Sequence, residues 1–148
     1  MSKEIHIRNA VPTDIDAIVA IDDVGPAEEK PAYWRGIFDH YGSGGKKDRV
    51  FLVAESGGKV VGFISGEVRA WEFGSPPCGW VFALAVSPQV RGMGIAGKMF
   101  GEICRRLKQA GVSTVRTMVD RNNKMVLSFF RSQDLRTGKY IELEKEID

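Results

Sequence analysis

The segment Leu84-Ala85-Val86-Ser87-Pro88-Gln89-Val90-Arg91-Gly92-Met93-Gly94-Ile95-Ala96-Gly97-Lys98 runs from an apolar stretch through a glycine-rich turn into an amphipathic one. Glycines at such a turn let the backbone approach a ligand closely. The unspent N–H groups and positive dipole end of the following helix form an anion site suited to phosphate or pyrophosphate. A tight strand-to-helix turn that binds nothing is the plain alternative. Gly92-Met93-Gly94-Ile95-Ala96-Gly97 matches G-x-G-x-x-G, and Asp120 lies downstream where a ribose-binding acid would stand. In a dinucleotide-binding unit, however, the first glycine follows its strand almost directly, whereas here Ser87 to Arg91 intervene. Gly92 to Lys98 also mimics G-x-x-x-x-G-K, but Met99 stands where a hydroxyl must hold magnesium, which argues against nucleotide hydrolysis.

The elements that must position this turn can be read from periodicity. Glu4 to Arg8 alternates Ile5 and Ile7 with polar residues as a half-buried strand does. Thr13 is placed to cap a helix whose face carries Ile15, Ile18, Val19 and Asp22. After Pro26 an acidic turn, Glu28 and Glu29, opens a second helix through Tyr33, Trp34, Ile37, Phe38 and Tyr41, ended by Gly42-Ser43-Gly44-Gly45. Val50 to Glu55 and Lys59 to Val68 read as strands of an antiparallel hairpin around Ser56-Gly57-Gly58. Arg69 to Gly79 reads as a loop and Trp80 to Val86 as a buried strand. From Ile95, the residues Ala96, Met99, Phe100, Ile103, Cys104 and Leu107 make a helical face that stops at Gly111. A strand over Val112 to Val119, a helix over Lys124 to Gln133 and a closing strand over Thr137 to Leu143 complete the pattern.

The chain of 148 residues is 43% apolar and 27% charged, enough for one core of ordinary size, so a single domain over residues 1–148 is expected. Twenty-one Lys and Arg against nineteen Asp and Glu leave a net charge of +2, too small to make nucleic acid the default partner. No apolar run approaches the roughly 18 residues of a membrane span, and the first residues have no signal-peptide character, so no membrane partner and a cytoplasmic location are expected. Cys78, Cys104, His6 and His40 lie far apart without ligand spacing, so reduced thiols and no metal are expected.

Gln89-Val90-Arg91-Gly92-Met93-Gly94 fits Q/R-x-x-G-x-G/A. With Val86-Ser87-Pro88 before it and Ala96 after it, this resembles the acetyl-coenzyme A signature of the GNAT superfamily of N-acetyltransferases. Asn123 to Phe130 is similar to that family's later motif, an Asn opening a helix with an apolar-aromatic pair, and the order of elements agrees over nearly the whole chain. The resemblance implies an α/β fold of GNAT type, a mixed sheet flanked by helices, and acetyl transfer from acetyl-CoA to a primary amine of a small molecule or protein. A non-catalytic acyl-CoA-binding module of the same fold is the alternative. It further implies that the coenzyme's pantetheine lies along Leu84, Ala85 and Val86. Its pyrophosphate would rest on the amides of Arg91, Gly92, Met93, Gly94, Ile95 and Ala96, with Gly97 in the same cradle and Asn123 helping to hold the arm. For Asn123 a helix N-cap is an equal reading, one Asn122 could also fill; for Arg91 it is a solvated turn residue.

Acyl transfer to an amine needs the amine neutral, so a base helps, and an acid can protonate the leaving thiolate. The position where the family often has a Tyr acid is Phe130, which has no proton to give and would only pack against the cofactor. A possible Glu position appears as Met118. Glu67 and Asp120 are the best remaining carboxylates, each with a solvated surface acid as its blander reading. His40 is a weaker candidate, more simply a helix-end cation, and Tyr140 offers a hydroxyl with no assigned place. Asp22, Asp23, Glu28 and Glu29 would suit a cationic acceptor, although acids at a helix start are ordinary. Tyr33, Trp34 and Phe38 read as core. A homodimer is expected by family analogy.

Overall fold

In the computed structural model, the described residues are 4–22, 30–42 and 48–147. They fall into two compact units, Met1–Met118 and Val119–Asp148. The first holds a five-stranded sheet in the order β1-β2-β3-β4-β5: β1 (Ile5–Asn9), β2 (Arg49–Ser56), β3 (Lys59–Arg69), β4 (Cys78–Val86) and β5 (Val115–Thr117). The first three pairings are antiparallel and β4–β5 is parallel, a mixed sheet as expected. The β2–β3 hairpin turns on Gly57 and Gly58, both at positive φ (59° and 79°), the conformation that matches the twist of the strands.

The two faces of this sheet are built differently. One carries α1 (Ile15–Ile21) and α2 (Lys30–Tyr41), whose Ile15, Ile18 and Trp34 pack with Phe51, Val53 and Phe63. The Trp34 ring lies 4.8 Å from that of Phe63, and its indole N–H donates to Asp22 Oδ2 at 2.8 Å, so the one polar atom of this buried ring is satisfied. The other face carries α3 (Ile95–Gln109), with Met99, Ile103 and Leu107 fully buried. Here the strands present Gly62, Gly66 and Gly79. A Cβ on each would stand 2.9 Å from Met99 Cε, 3.1 Å from Ile103 Cδ1 and 2.7 Å from Leu107 Cδ1. The missing side chains are what seat α3 against the sheet.

Several expected boundaries move. The first helix is not capped by Thr13. A 3-10 turn over Pro12–Asp14 precedes α1, and the buried Asp14 carboxylate takes the Val11 N–H at 2.8 Å and two Arg8 bonds at 2.8 and 3.0 Å. The acidic turn at Glu28 and Glu29 and the loop Ser43-Gly44-Gly45 lie outside the described residues. β5 has three residues rather than Val112 to Val119. After Gly111 (φ 101°) the Val112 N–H folds back onto the Leu107 carbonyl at 3.4 Å, which spends the expected strand's start on leaving α3. The second unit holds α4 (Lys124–Ser132). Residues 137–143 form no strand, and Ile141 and Leu143 are 79% and 84% exposed; their alternation fits an edge strand, but alternation alone supplies no ladder partner.

Candidate functional site

β4 and β5 pair only over Gly79–Val115, Trp80–Arg116 and Val81–Thr117. At that point the Thr117 hydroxyl donates to the Val81 carbonyl at 2.8 Å. Beyond it, Ala83 to Val86 continue the ladder with β3 on one edge, and no described strand pairs with the other. The register shifts between Ser65 and Gly66, which face Ala83 and Val81, so Phe82 is the extra residue of a bulge at the place where the parallel pairing ends. A polar arm can lie along such an edge as an added strand, bonding backbone amides. Leu84, Ala85 and Val86 sit there, all half-buried.

At the end of β4 the Ser87 N–H is anchored on the Val61 carbonyl at 2.8 Å, the Ser87 hydroxyl donates to Gln89 Oε1, and Pro88–Val90 forms a 3-10 turn. Gly92 and Gly94 follow with φ of 86° and 76°, and Gly94 is the N-cap of α3. A Cβ at either would meet nothing within 4 Å, so the backbone angle asks for glycine while the space beside it stays open. The first helical bond runs from the Lys98 N–H to the Gly94 carbonyl at 3.1 Å. The N–H groups of Ile95, Ala96 and Gly97 therefore have no acceptor within the helix, and no acidic side chain stands in the first turn to compete for an anion. Arg91, Gly92, Met93 and Gly94 are exposed, whereas Ile95 is 2% exposed: its side chain belongs to the core and only its backbone faces the turn.

The expected catalytic carboxylates have different surroundings. Glu67, on β3 opposite Trp80, takes the Arg69 Nε–H at 3.0 Å. Arg69 in turn lies over the Trp80 ring, 5.1 Å from its centroid. Tyr41, the last residue of α2, packs at 4.6 Å between ring centroids on the bulged Phe82 and at 4.6 Å on His40. Burial and the Glu67 carboxylate push the Tyr41 hydroxyl above its ordinary pKa, so it keeps its proton. The structure thus joins Glu67 to Arg69 and Tyr41 to Phe82, pairings that the helical spacing of Tyr41 does not reveal. Only the bulge register brings them out. In the loop between β3 and β4, Trp71 and Phe73 are 70% and 88% exposed at φ of 66° and 54°. Aromatic residues hold these angles at a cost of about 1–2 kcal/mol each.

In the second unit Asp120 is exposed and accepts the Asn122 N–H at 2.8 Å, which makes it a turn-forming side chain. Asn123 caps α4, its Oδ1 accepting the Val126 N–H at 3.1 Å. The cap is Asn123 and not Asn122. Phe130 is buried and stacks edge-on with Phe129 at 5.1 Å, while Tyr140 is 40% exposed beneath the Lys139 ammonium. Met118, at the end of the first unit, is 71% exposed. No helix among the described residues is long and apolar enough to cross a membrane.

The family model of the acetyltransferase (GNAT) family matches residues 15–134. Among curated proteins the chain is similar to an L-2,4-diaminobutyric acid acetyltransferase of Vibrio parahaemolyticus, 26% identical over 99% of this chain and 77% of the relative. It is also similar to an N-alpha-acetyltransferase of Sulfurisphaera tokodaii, 32% identical over 72% of this chain and 65% of the relative. Among solved structures it resembles an aminoglycoside N-acetyltransferase, AAC(6')-Iy, in complex with CoA, with a TM-score of 0.80 at 14% identity over 99% of this chain and 97% of that one. A glucosamine-6-phosphate N-acetyltransferase of Arabidopsis thaliana has a TM-score of 0.70 at 18% identity, over 99% and 100% of the two chains. The chain belongs to the GNAT family of acetyltransferases. Its reaction class is acetyl-CoA-dependent N-acetylation.

Proposed function

We propose that the acetyl acceptor is the primary amine of a small cationic molecule, attacking the thioester directly at the Phe82 end of β4. The observation that carries this reading is the end of the β4–β5 pairing at Val81–Thr117, which leaves one edge of Phe82 to Val86 leading to the start of α3. At about 3.3 Å per residue, Val86 lies about 13 Å from Phe82, a span on which an extended arm fits with its phosphate end at the turn and its thioester at the bulge. Leu84, Ala85 and Val86 then bond the arm through backbone groups, and the amides from Arg91 to Gly97 hold the pyrophosphate. Glu67 stands at the thioester end as the carboxylate that draws in the acceptor's ammonium.

For the second unit the reading rests on sequence pattern: Asn123 and Phe130 support the coenzyme arm, and Asp120 is the second acid. The family match crosses from one unit to the other, which supports one acetyltransferase domain over residues 1–148. The names of the relatives favour a diamino acid or an N-terminal amine as acceptor. A cytoplasmic location and a homodimer belong to the same reading; light scattering on the purified chain tests the second.

The test is coenzyme A thiol release from acetyl-CoA with 2,4-diaminobutyrate, and separately with a short peptide bearing a free N-terminus. Turnover with the diamine above that with the peptide is expected. Turnover with the peptide alone would overturn the small-molecule acceptor.

A further inference from the structure

We propose that Arg69 holds the carboxylate of the acceptor, so that this site takes amino acids in preference to plain amines. This rests on the reading of Phe82 as the thioester end and of Glu67 as the group that meets the acceptor's ammonium. Arg49, Glu67 and Trp80 stand directly opposite one another on β2, β3 and β4, so their side chains form one row on one face of the sheet. Arg69 lies two residues beyond Glu67 on β3 and shares that face. It closes over the row: its Nε–H donates to Glu67 Oε1 at 3.0 Å, and its guanidinium carbon stands 5.1 Å from the centre of the Trp80 ring. Phe82 follows two residues after Trp80, its ring 4.6 Å from that of Tyr41, so the row leads to the bulge where the β4–β5 pairing has ended.

Two guanidiniums face one carboxylate here, and the second positive charge suits an anionic group on the ligand. Arg49 is committed to the fold, its Nη1 donating to the His40 carbonyl near the end of α2 at 3.4 Å. Arg69 is held differently. Its side chain is 33% exposed, and among the described residues it donates through Nε alone. Nη1 and Nη2 remain, the parallel donors that take a carboxylate bidentately, while Glu67 and Trp80 fix the plane of the fork. Along β4, Phe82 lies about 7 Å from Trp80 at about 3.3 Å per residue. In extended 2,4-diaminobutyrate the carboxyl carbon and the far nitrogen are about 5 Å apart. A carboxylate on Arg69 therefore brings that amine to the bulge, with Glu67 beside the other ammonium. A plain diamine of the same length leaves the guanidinium fork without its partner, which costs affinity.

1,3-Diaminopropane is 2,4-diaminobutyrate without its carboxylate, so the two acceptors differ only in the group assigned to Arg69. We expect wild-type kcat/KM for diaminobutyrate to exceed that for diaminopropane at least about tenfold. In Arg69→Gln, made in the full chain, that preference should fall about tenfold, through a rise in the KM for diaminobutyrate. Arg69→Lys keeps the charge and the stem on Trp80 but not the fork, and should lose about threefold of the preference; it carries the test if Arg69→Gln fails to fold by thermal unfolding. Arg105→Gln removes an exposed guanidinium from α3 and should leave the preference unchanged. A folded, active Arg69 variant whose preference stays at the wild-type value would overturn the role of Arg69 alone, as would equal use of the two amines by the wild type. Wild-type turnover of neither amine would overturn the small-molecule acceptor itself, and this assignment with it.

Discussion

Replacing Gly94 by Glu separates the fold from the anion site. Gly94 sits at φ 76°, and a Cβ there would have no atom within 4 Å, so the substitution strains the backbone without a clash. A non-glycine residue at that angle costs about 1–2 kcal/mol. A carboxylate at the start of α3 returns about 0.3–1 kcal/mol through the helix dipole. The net loss, about 1 kcal/mol, lowers the melting temperature by about 2–4 °C in a chain of this size. The same carboxylate at about 5 Å from a bound phosphate opposes it by about 3 kcal/mol at an effective dielectric of about 20, a hundredfold or more in Kd. Gly94→Ala carries the strain without the charge and should weaken binding less than tenfold. Calorimetric titration with coenzyme A, beside thermal unfolding of all three proteins, reads both quantities. Wild-type affinity in Gly94→Glu with the expected small loss of stability would refute the assignment of the turn as the pyrophosphate site.

Gly66→Ala probes the bulge, because its Cβ would stand 2.5 Å from the Trp80 carbonyl oxygen, backbone that has to shift. A loss of about 1–3 kcal/mol in urea unfolding is expected, together with weaker coenzyme A binding. Asp14→Asn should cost about 2 kcal/mol, since Asn keeps the shape but loses the charge that holds the two Arg8 bonds, while Glu55 at 3.0 Å still pairs Arg8. Burial alone would raise the Asp14 pKa, but the Arg8 and Val11 donors outweigh it and hold the carboxyl below its ordinary value of about 3.9. This group's contribution is therefore complete above about pH 4 and is lost as pH falls through the lowered folded-state pKa. Acid titration of wild type and Asp14→Asn should show the stability gap closing below that pH; a gap constant down to pH 2 would contradict it.

What could be read locally was legible in the sequence. The face of α3 repeats at helical spacing, the Gly57-Gly58 hairpin needs positive φ in adjacent residues, and the turn from Val86 to Gly97 is contiguous. What failed depends on partners distant in the chain. The alternation of Ile141 and Leu143 describes a strand without saying whether another strand meets it. Val112 satisfies a strand pattern but is held by the end of α3. Glu67 could be named as a carboxylate near the end of its strand, yet the packing of Tyr41 on the Phe82 bulge follows from partners distant in the chain, which no local period encodes.

Whether coenzyme A lies along β4 with its pyrophosphate at the start of α3 is tested most directly by the change in backbone amide resonances when it is added to the isotopically labelled chain. The largest shifts are expected at Leu84, Ala85 and Val86 and from Arg91 to Gly97. Shifts centred elsewhere, with these amides unmoved at saturation, would contradict that placement.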